Sequence, residues 1–446
     1  MVRTTFLLLG LLGAFLGRPS VEAATYYVAT TGSDINSCAV AQSPATPLQT
    51  IAAGIACLSS GDTLLVGDGN YAETIEANTI PNGTSSARTI LKAINQRKAV
   101  LRPSSIGANC FQMSGNNHFL TLDGFACLRT GENPSGSTAL GTLHIGDNSG
   151  VNTFSDISLL NWEIGNVNAD NYTPANGNFA TTAAIGLSFA TSNFLMDNLY
   201  IHDIGMNQTP PGCCNNAAYG YGIYWSASGA TLTNSTFKNI AGFGIHGYTS
   251  ATGGARLNVI KNNMFISTGA IYMSQDSNQF INNVLSRVGQ DIGQGAGGGQ
   301  QDGILIGAFG HGSYSNNVIV NNTIYQSKLS CINIGYADTA TVRNNICYQN
   351  GSDGVNTSLA GSGNVIDHNL LGTNPLFVNA GLGDFHLQSG SPAIDAGVTV
   401  SVASPDLAGT PRPQGSAYDL GAYEFGGSPP APVFPVPRNL RITATQ

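Results

Sequence analysis

The stretch that decides the fold reads VIKNNMFISTGAIYM at residues 259–273, FINNVLSRVG at 280–289, VIVNNTIYQSKLSCINIG at 318–335 and TVRNNICYQNGSDGVN at 341–356. In each copy, two or three residues that alternate apolar and polar lead into an Asn pair. Most copies then bend at a small residue into a second short run such as Ala270-Ile271-Tyr272. A unit of this size cannot bury its apolar face alone, so neighbouring copies have to stack.

Working outward, two landmarks follow the stack along the chain. The turn position ending the first strand is Gly124, Asn161, Asn198, Asn234, Asn263, Asn283, Asn322, Asn345 and Asn369. The apolar centre of the second strand is Leu143, Ile185, Ile223, Ile245, Ile271, Ile304, Ile332 and Val355. The two alternate without exception, as a coil with one of each per turn requires. Short strands with period-two alternation and an irregular repeat of roughly 20 to 40 residues predict an all-β chain wound as a parallel β-helix. Parallel crossovers are nearly always right-handed, so a right-handed solenoid is expected. Asn suits the recurring bend because it tolerates left-handed backbone angles and its amide can bond to the same amide one coil on. The ladder is read as structural, since buried amides are normally satisfied by such pairing.

Charged residues are only 9% of the 446-residue chain, against roughly 25% in an average globular protein. A net charge of -8 with 17 scattered Lys and Arg argues against nucleic acid, which is bound through basic patches. Residues 1–23 combine one early charge at Arg3, an apolar run over 6–16 and Val21-Glu22-Ala23 before Ala24. This is the shape of a secretory signal, too short between Arg3 and Arg18 to span a bilayer. Cleavage is expected after Ala23, giving a secreted or cell-surface protein without a transmembrane helix. The eight Cys fit disulfides in an oxidising compartment. Local pairs Cys38 with Cys57, Cys110 with Cys127 and Cys331 with Cys347 are expected, while Cys213-Cys214 is left open between a vicinal bridge and partners elsewhere.

Residues 24–103 read as an N-terminal cap and first coils. Thr46-Pro47-Leu48-Gln49 has the form of a capping box with Pro at the first helical position, predicting a helix over 46–58. Its stripe of Leu48, Ile51, Ala52, Ile55 and Leu58 is expected to lid the first coil. Residues 104–373 read as the coils, 374–425 as a C-terminal cap of different character, and 426–446 as a Gly/Ser/Pro-rich linker and tail.

The residue after each strand centre must face outward if the centre faces in. Down the stack it is His144, Gly186, Tyr224, His246, Tyr272, Leu305, Asn333 and Asn356. Tyr and His one coil apart, at about 4.8 Å, make a strip on which sugar rings can stack. The competing reading is an ordinary solvated face. Connections from turn to strand centre are long after Asn161 and Asn198, short after Asn234 and Asn263, and long again after Asn283. Loop walls at 203–220 and 287–301 would therefore flank a floor at His246 and Tyr272.

Hydrolysis of a glycosidic bond needs two carboxylates, and Asp203 with Asp302 are the pair flanking that floor. Elimination across a uronic acid needs a base, from His246 or Tyr272, and a cation. Arg287, or Ca²⁺ held by Asp291 and Asp302, could supply that charge. Tyr224, His202 and Asn333 are the expected substrate contacts. Against these roles, an Asp at a bend commonly just caps a turn. His118, His368 and His386 are read as structural, and Glu163 as remote from the floor.

TYYVATTGSD at 25–34, TPLQTIAAGIACLSSGDTLLVGDGNY at 46–71 and the repeated NN coils resemble secreted bacterial right-handed parallel β-helix proteins of the pectate-lyase-like superfamily, over residues 24–372. FHLQSGSPAIDAG at 385–397 and DLGAYEF at 419–425 are similar to the choice-of-anchor Q module that ends such chains. The resemblance implies extracellular polysaccharide as the usual ligand, with lyases, hydrolases, epimerases and non-catalytic surface proteins all represented. Gly310-His311-Gly312 matches the polygalacturonase signature in letters only, because Ser330 stands where the partner of His311 would be. The Asp-Pro-His signature of the mannuronan epimerases is absent, and no Lys-Arg constellation can be assigned to a lyase. Two functions are set against each other: a carbohydrate-active enzyme working over His246 and Tyr272, and a non-catalytic stalk or glycan-binding platform. A monomer is expected for either.

Overall fold

The computed structural model describes residues 23–104, 108–128, 142–146, 153–167, 182–187, 191–204, 220–247, 256–290, 301–307 and 313–426. The signal segment up to residue 22, Cys213-Cys214, Asp291, Gly310-His311-Gly312 and the tail from 427 lie outside the described residues.

Each coil contributes one short strand to each of three parallel sheets. The first sheet has twelve strands, from Thr25–Val28 to Val365–Asp367. The second has eleven, from Gly69–Tyr71 to Leu370–Leu371. The third has ten, from Ile75–Glu76 to Ser352–Asn356. The chain is therefore a parallel β-helix, and the core is the column of side chains inside the coils.

Leu143, Ile185, Ile223, Ile245, Ile271, Ile304, Ile332 and Val355 stack in one unbroken register of the third sheet, as the landmarks require. All but half-buried Val355 are fully buried. The register is strongly specified because a one-residue slip would turn every Ile in a coil to the other face.

The other landmark needs a correction. Asn161, Asn198 and Asn234 are themselves the bend residues, at φ 60°, 54° and 50°. In the later coils the bend is the first Asn of the pair, at Asn262, Asn282, Asn321 and Asn344, so the reading is offset by one residue between the two halves. The inward corner position is Phe125, Trp162, Leu199 and Ser235, followed by Asn263, Asn283, Asn322, Asn345 and Asn369. Among the Asn members each side-chain N–H donates to the next Oδ1, at 3.0, 3.0, 3.0 and 2.9 Å. Ser235 joins the two regimes: its N–H donates to Asn263 Oδ1 and its hydroxyl accepts from the Leu199 N–H. A second ladder, not anticipated from the sequence, runs Asn258, Asn278, Asn317 at the entry to the first sheet.

The N-terminal helix is Ile51–Ala56, shorter than expected. Within residues 46–49, Leu48 pairs with the first strand instead. Leu48 bridges Val28, and its N–H and carbonyl bond to Tyr27 and Ala29 at 2.9 Å each. The capping box is replaced by Thr50 as N-cap and by the Glu73 carboxylate, which accepts from the Ile51 and Ala52 N–H groups. Ile51 and Ile55 pack into the core with Val28 and Leu64. Gly54 lies so close to both that a Cβ there would come within 2.6 Å of either.

The three local disulfides form as expected, Cys38–Cys57, Cys110–Cys127 and Cys331–Cys347. Cys110, Cys127, Cys331 and Cys347 are fully buried; Cys331–Cys347 ties the third sheet to the second, and Cys110–Cys127 ties the residue entering the third-sheet strand Phe111–Met113 to the second.

Residues 374–425, expected as a cap, lie along the flank. Phe377, Phe385, Leu420 and Tyr423 pack with Val284 and Ile346 of the second sheet. The bend residues Asn282, Asn321 and Asn344 reach outward to the carbonyls of Ala403, Asp419 and Val398. The inward positions of the last coil, Ile366 and Leu371, stay 38% and 40% exposed, so this segment does not close that end. Its own centre is an ion pair of fully buried side chains, Arg412 Nη1 to Glu424 Oε2 at 2.7 Å.

Candidate functional site

The outward row of the third sheet runs in register through Glu76, Gln112, His144, Gly186, Tyr224, His246, Tyr272, Leu305, Asn333 and Asn356. The pleat turns these positions away from the core. Aromatic rings gather at its middle, where His246 is surrounded by Phe243 at 4.8 Å, Tyr221 at 4.9 Å, Tyr272 at 5.2 Å and Tyr224 at 5.3 Å between ring centroids. Tyr221, Phe243, Tyr272, Leu305 and Tyr224 form an apolar cluster separate from the core.

The sequence reading placed Tyr224, His246 and Tyr272 on one face, and they share it. It missed Tyr221 and Phe243. The available signal was an aromatic residue three positions before the outward one in two successive coils, a spacing that strict two-residue alternation does not anticipate.

His246 is 8% and Tyr272 4% exposed, while Tyr224 is half-buried. Burial pulls the His246 imidazole down to about 4, so it is neutral across the physiological range. Ser274 Oγ donates to the Tyr272 hydroxyl.

The other expected site residues are spread more widely. Asp302 is buried and accepts from the Ser330 N–H at 2.9 Å and from Asn333 Nδ2 at 3.2 Å. Burial pushes its carboxyl above the ordinary range, against the pull of these hydrogen bonds. Asn333 is thereby committed to Asp302. His202 and Asp203 sit on the second sheet, in the strand Tyr200–Ile204, not on the face of His246. Asp203 and Arg287 are both bend residues at the corner between the second and third sheets, at φ 54° and 59°. The His202 hydrogen bond holds the Asp203 carboxyl below the usual range, aided by Asn239.

Asp203 and Asp302 belong to coils three apart, a rise of about 14 Å at one strand spacing per coil. Paired carboxylates in inverting glycosidases stand roughly 6.5–9.5 Å apart. The expected hydrolytic pair is therefore not assembled. The Ca²⁺ reading falls in part on Asp291, which lies outside the described residues; Asp302 accepts two hydrogen bonds, and among the described residues there is no group of three or more metal-binding side chains. Most of both expected loop walls, residues 205–219 and 291–300, also lies outside the described residues.

Three parallel sheets in register, carrying an outward aromatic row, place the chain in the class of parallel β-helix proteins. Among solved structures, pectate lyase Pel9A matches with a TM-score of 0.61 at 15% identity, over 90% of this chain and 96% of that one. A rhamnogalacturonan lyase matches with a TM-score of 0.43 at 13% identity, over 80% and 91%. An alginate lyase from Paenibacillus sp. str. FPU-7 matches with a TM-score of 0.40 at 14% identity, over 70% and 93%. The likeness to the pectate lyase is one of fold. No family model and no curated protein sequence matches the chain. Among the described residues, no helix is long and apolar enough to cross a membrane.

Proposed function

We propose that the protein is an extracellular, monomeric polysaccharide-binding β-helix that contacts its polymer on the outer face of the third sheet. The observation that carries this reading is the nest of four aromatic rings around His246, all within 5.3 Å of the imidazole centroid on the outside of the coil. Rings there do not serve the core, and aromatic faces are suited to stacking on sugars. Half-buried Tyr224 is the edge of the nest nearest solvent. The signal-like residues 1–23, the buried disulfides and a fold shared with a pectate lyase support an extracellular, polysaccharide-directed role.

The chemistry this face favours is elimination. Neutral His246 would take the proton beside a uronate carboxylate while the glycosidic C–O bond breaks, the departing oxygen would take a proton from the Tyr272 hydroxyl, and exposed Arg287 would offset the acid's charge. A second reading, binding without turnover, is favoured by the same burial: an imidazole held at about 4 is a weak base.

The test is a screen of the mature protein on polyuronates and on neutral plant and microbial glycans, following ultraviolet absorbance of the unsaturated product alongside reducing ends. Unsaturated product lost in Tyr272→Phe or His246→Ala supports elimination. Binding without product, weakened in Tyr224→Ala, supports the platform. Reducing ends without unsaturated product, lost in Asp302→Asn, would restore hydrolysis, and no binding to any glycan would overturn the proposal.

A further inference from the structure

The second sheet carries a group of ionisable side chains that this reading leaves unused. His202 Nδ1 lies 2.8 Å from Asp203 Oδ2, and its Nε2 lies 3.2 Å from Glu163 Oε1. A neutral imidazole has a single N–H, so only the imidazolium donates to both carboxylates. The two acids come from successive coils, because the strand Glu163–Val167 pairs with Tyr200–Ile204 with Gly165 opposite His202. The ring lies back over Gly165, where a Cβ would come 2.4 Å from His202 Cε1, and Tyr200 stacks on it at 4.4 Å. The absence of a side chain at 165 is what lets the imidazole reach the earlier coil.

Among the described residues, the charged and titratable groups facing this ring are few. Glu163 and Asp203 hold its nitrogens, Tyr200 covers its face, and Lys238 stands in register with it on the following coil. Arg97 interacts with Glu163 and Tyr200, and Asn239 donates to the other Asp203 oxygen at 2.8 Å. Burial favours the neutral imidazole, but hydrogen bonds to the two carboxylates more than offset it and raise the His202 pKa above 6.5.

We propose that His202 is a proton-operated clasp between coils, which ties the Glu163 strand to the Tyr200 strand when charged and lets one carboxylate go when it loses its proton. The direction follows from linkage. A histidine whose folded pKa is raised stabilises fully below its unfolded value of 6.5, and that stabilisation is lost as pH rises through the folded value.

The experiment is histidine-selective NMR of the whole protein with thermal unfolding from about pH 6 to about pH 9. One histidine resonance, missing in His202→Gln, is expected to titrate above 6.5 and to move to lower pH in Glu163→Gln. The wild-type Tm is expected to fall across that range, with the fall lost in His202→Gln. Should His202→Gln not fold, the resonance whose titration moves in Glu163→Gln makes the same assignment. No histidine titrating above 6.5, or wild-type and Glu163→Gln profiles that coincide, would overturn the clasp.

Discussion

His246 and Tyr272 stand one coil apart with ring centroids 5.2 Å apart and planes 20° from parallel. Phe243 and Tyr221 stack on the same imidazole at 26° and 17°. Water is thus excluded from the ring and protonation opposed. A histidine lowered from 6.5 to about 4 contributes stability that is present above 6.5 and lost as pH falls through about 4. Wild-type Tm should fall over that acid interval, by an effect on the order of a few kcal/mol, and His246→Phe should flatten the limb. Equal acid sensitivity in the two proteins would contradict a desolvated imidazole.

Tyr224 offers a separation of binding from stability. It is half-buried at the edge of the nest, so Tyr224→Ala should weaken glycan affinity roughly tenfold, the worth of one aromatic stack, with little change in Tm. Calorimetric titration against the best glycan from the screen reads the first quantity and thermal unfolding the second.

The Asn ladder should fail most severely in its middle. Asn322 Oδ1 accepts the Asn283 N–H at 2.9 Å and Nδ2 at 3.0 Å, and Asn322 Nδ2 donates to Asn345 Oδ1 at 3.0 Å and Phe280 O at 2.9 Å. Asn322→Ala leaves several fully buried groups unanswered and should cost roughly 3–5 kcal/mol in chemical denaturation. Asn369, the half-buried last member, should cost about 1 kcal/mol.

The flank segment should depend on its buried ion pair. Arg412 donates to the Glu424 carboxylate and to the Asp419 and Gly421 carbonyls. Glu424→Gln removes the one carboxylate hydrogen-bonded to that guanidinium and leaves only Asp406 and Asp419 nearby as counter-charge, a loss of about 3 kcal/mol. Limited proteolysis should then cut within residues 374–425 well before the coils. A double change, Arg412→Met with Glu424→Leu, should recover most of the resistance.

The strand centres from Leu143 to Val355 were legible in the sequence because the apolar requirement at each is local and absolute: a coil either buries that side chain or loses its register. The Asn pairs were legible as bends for a related reason, since few residues accept positive φ. Which Asn of a pair makes the bend was not legible in the later coils, because in the earlier ones a single Asn bends and Trp162 and Leu199 fill the corner that the second Asn fills later. Both solutions satisfy that corner, one by packing and one by hydrogen bonds to the next coil. The site shows the same division. That Tyr224, His246 and Tyr272 share a face follows from two-residue alternation. That Asp203 and His202 lie on another sheet, three coils from Asp302, follows from where each coil turns its corners. Whether His246 meets water or four rings was likewise decided by neighbours that only the winding of the chain brings together.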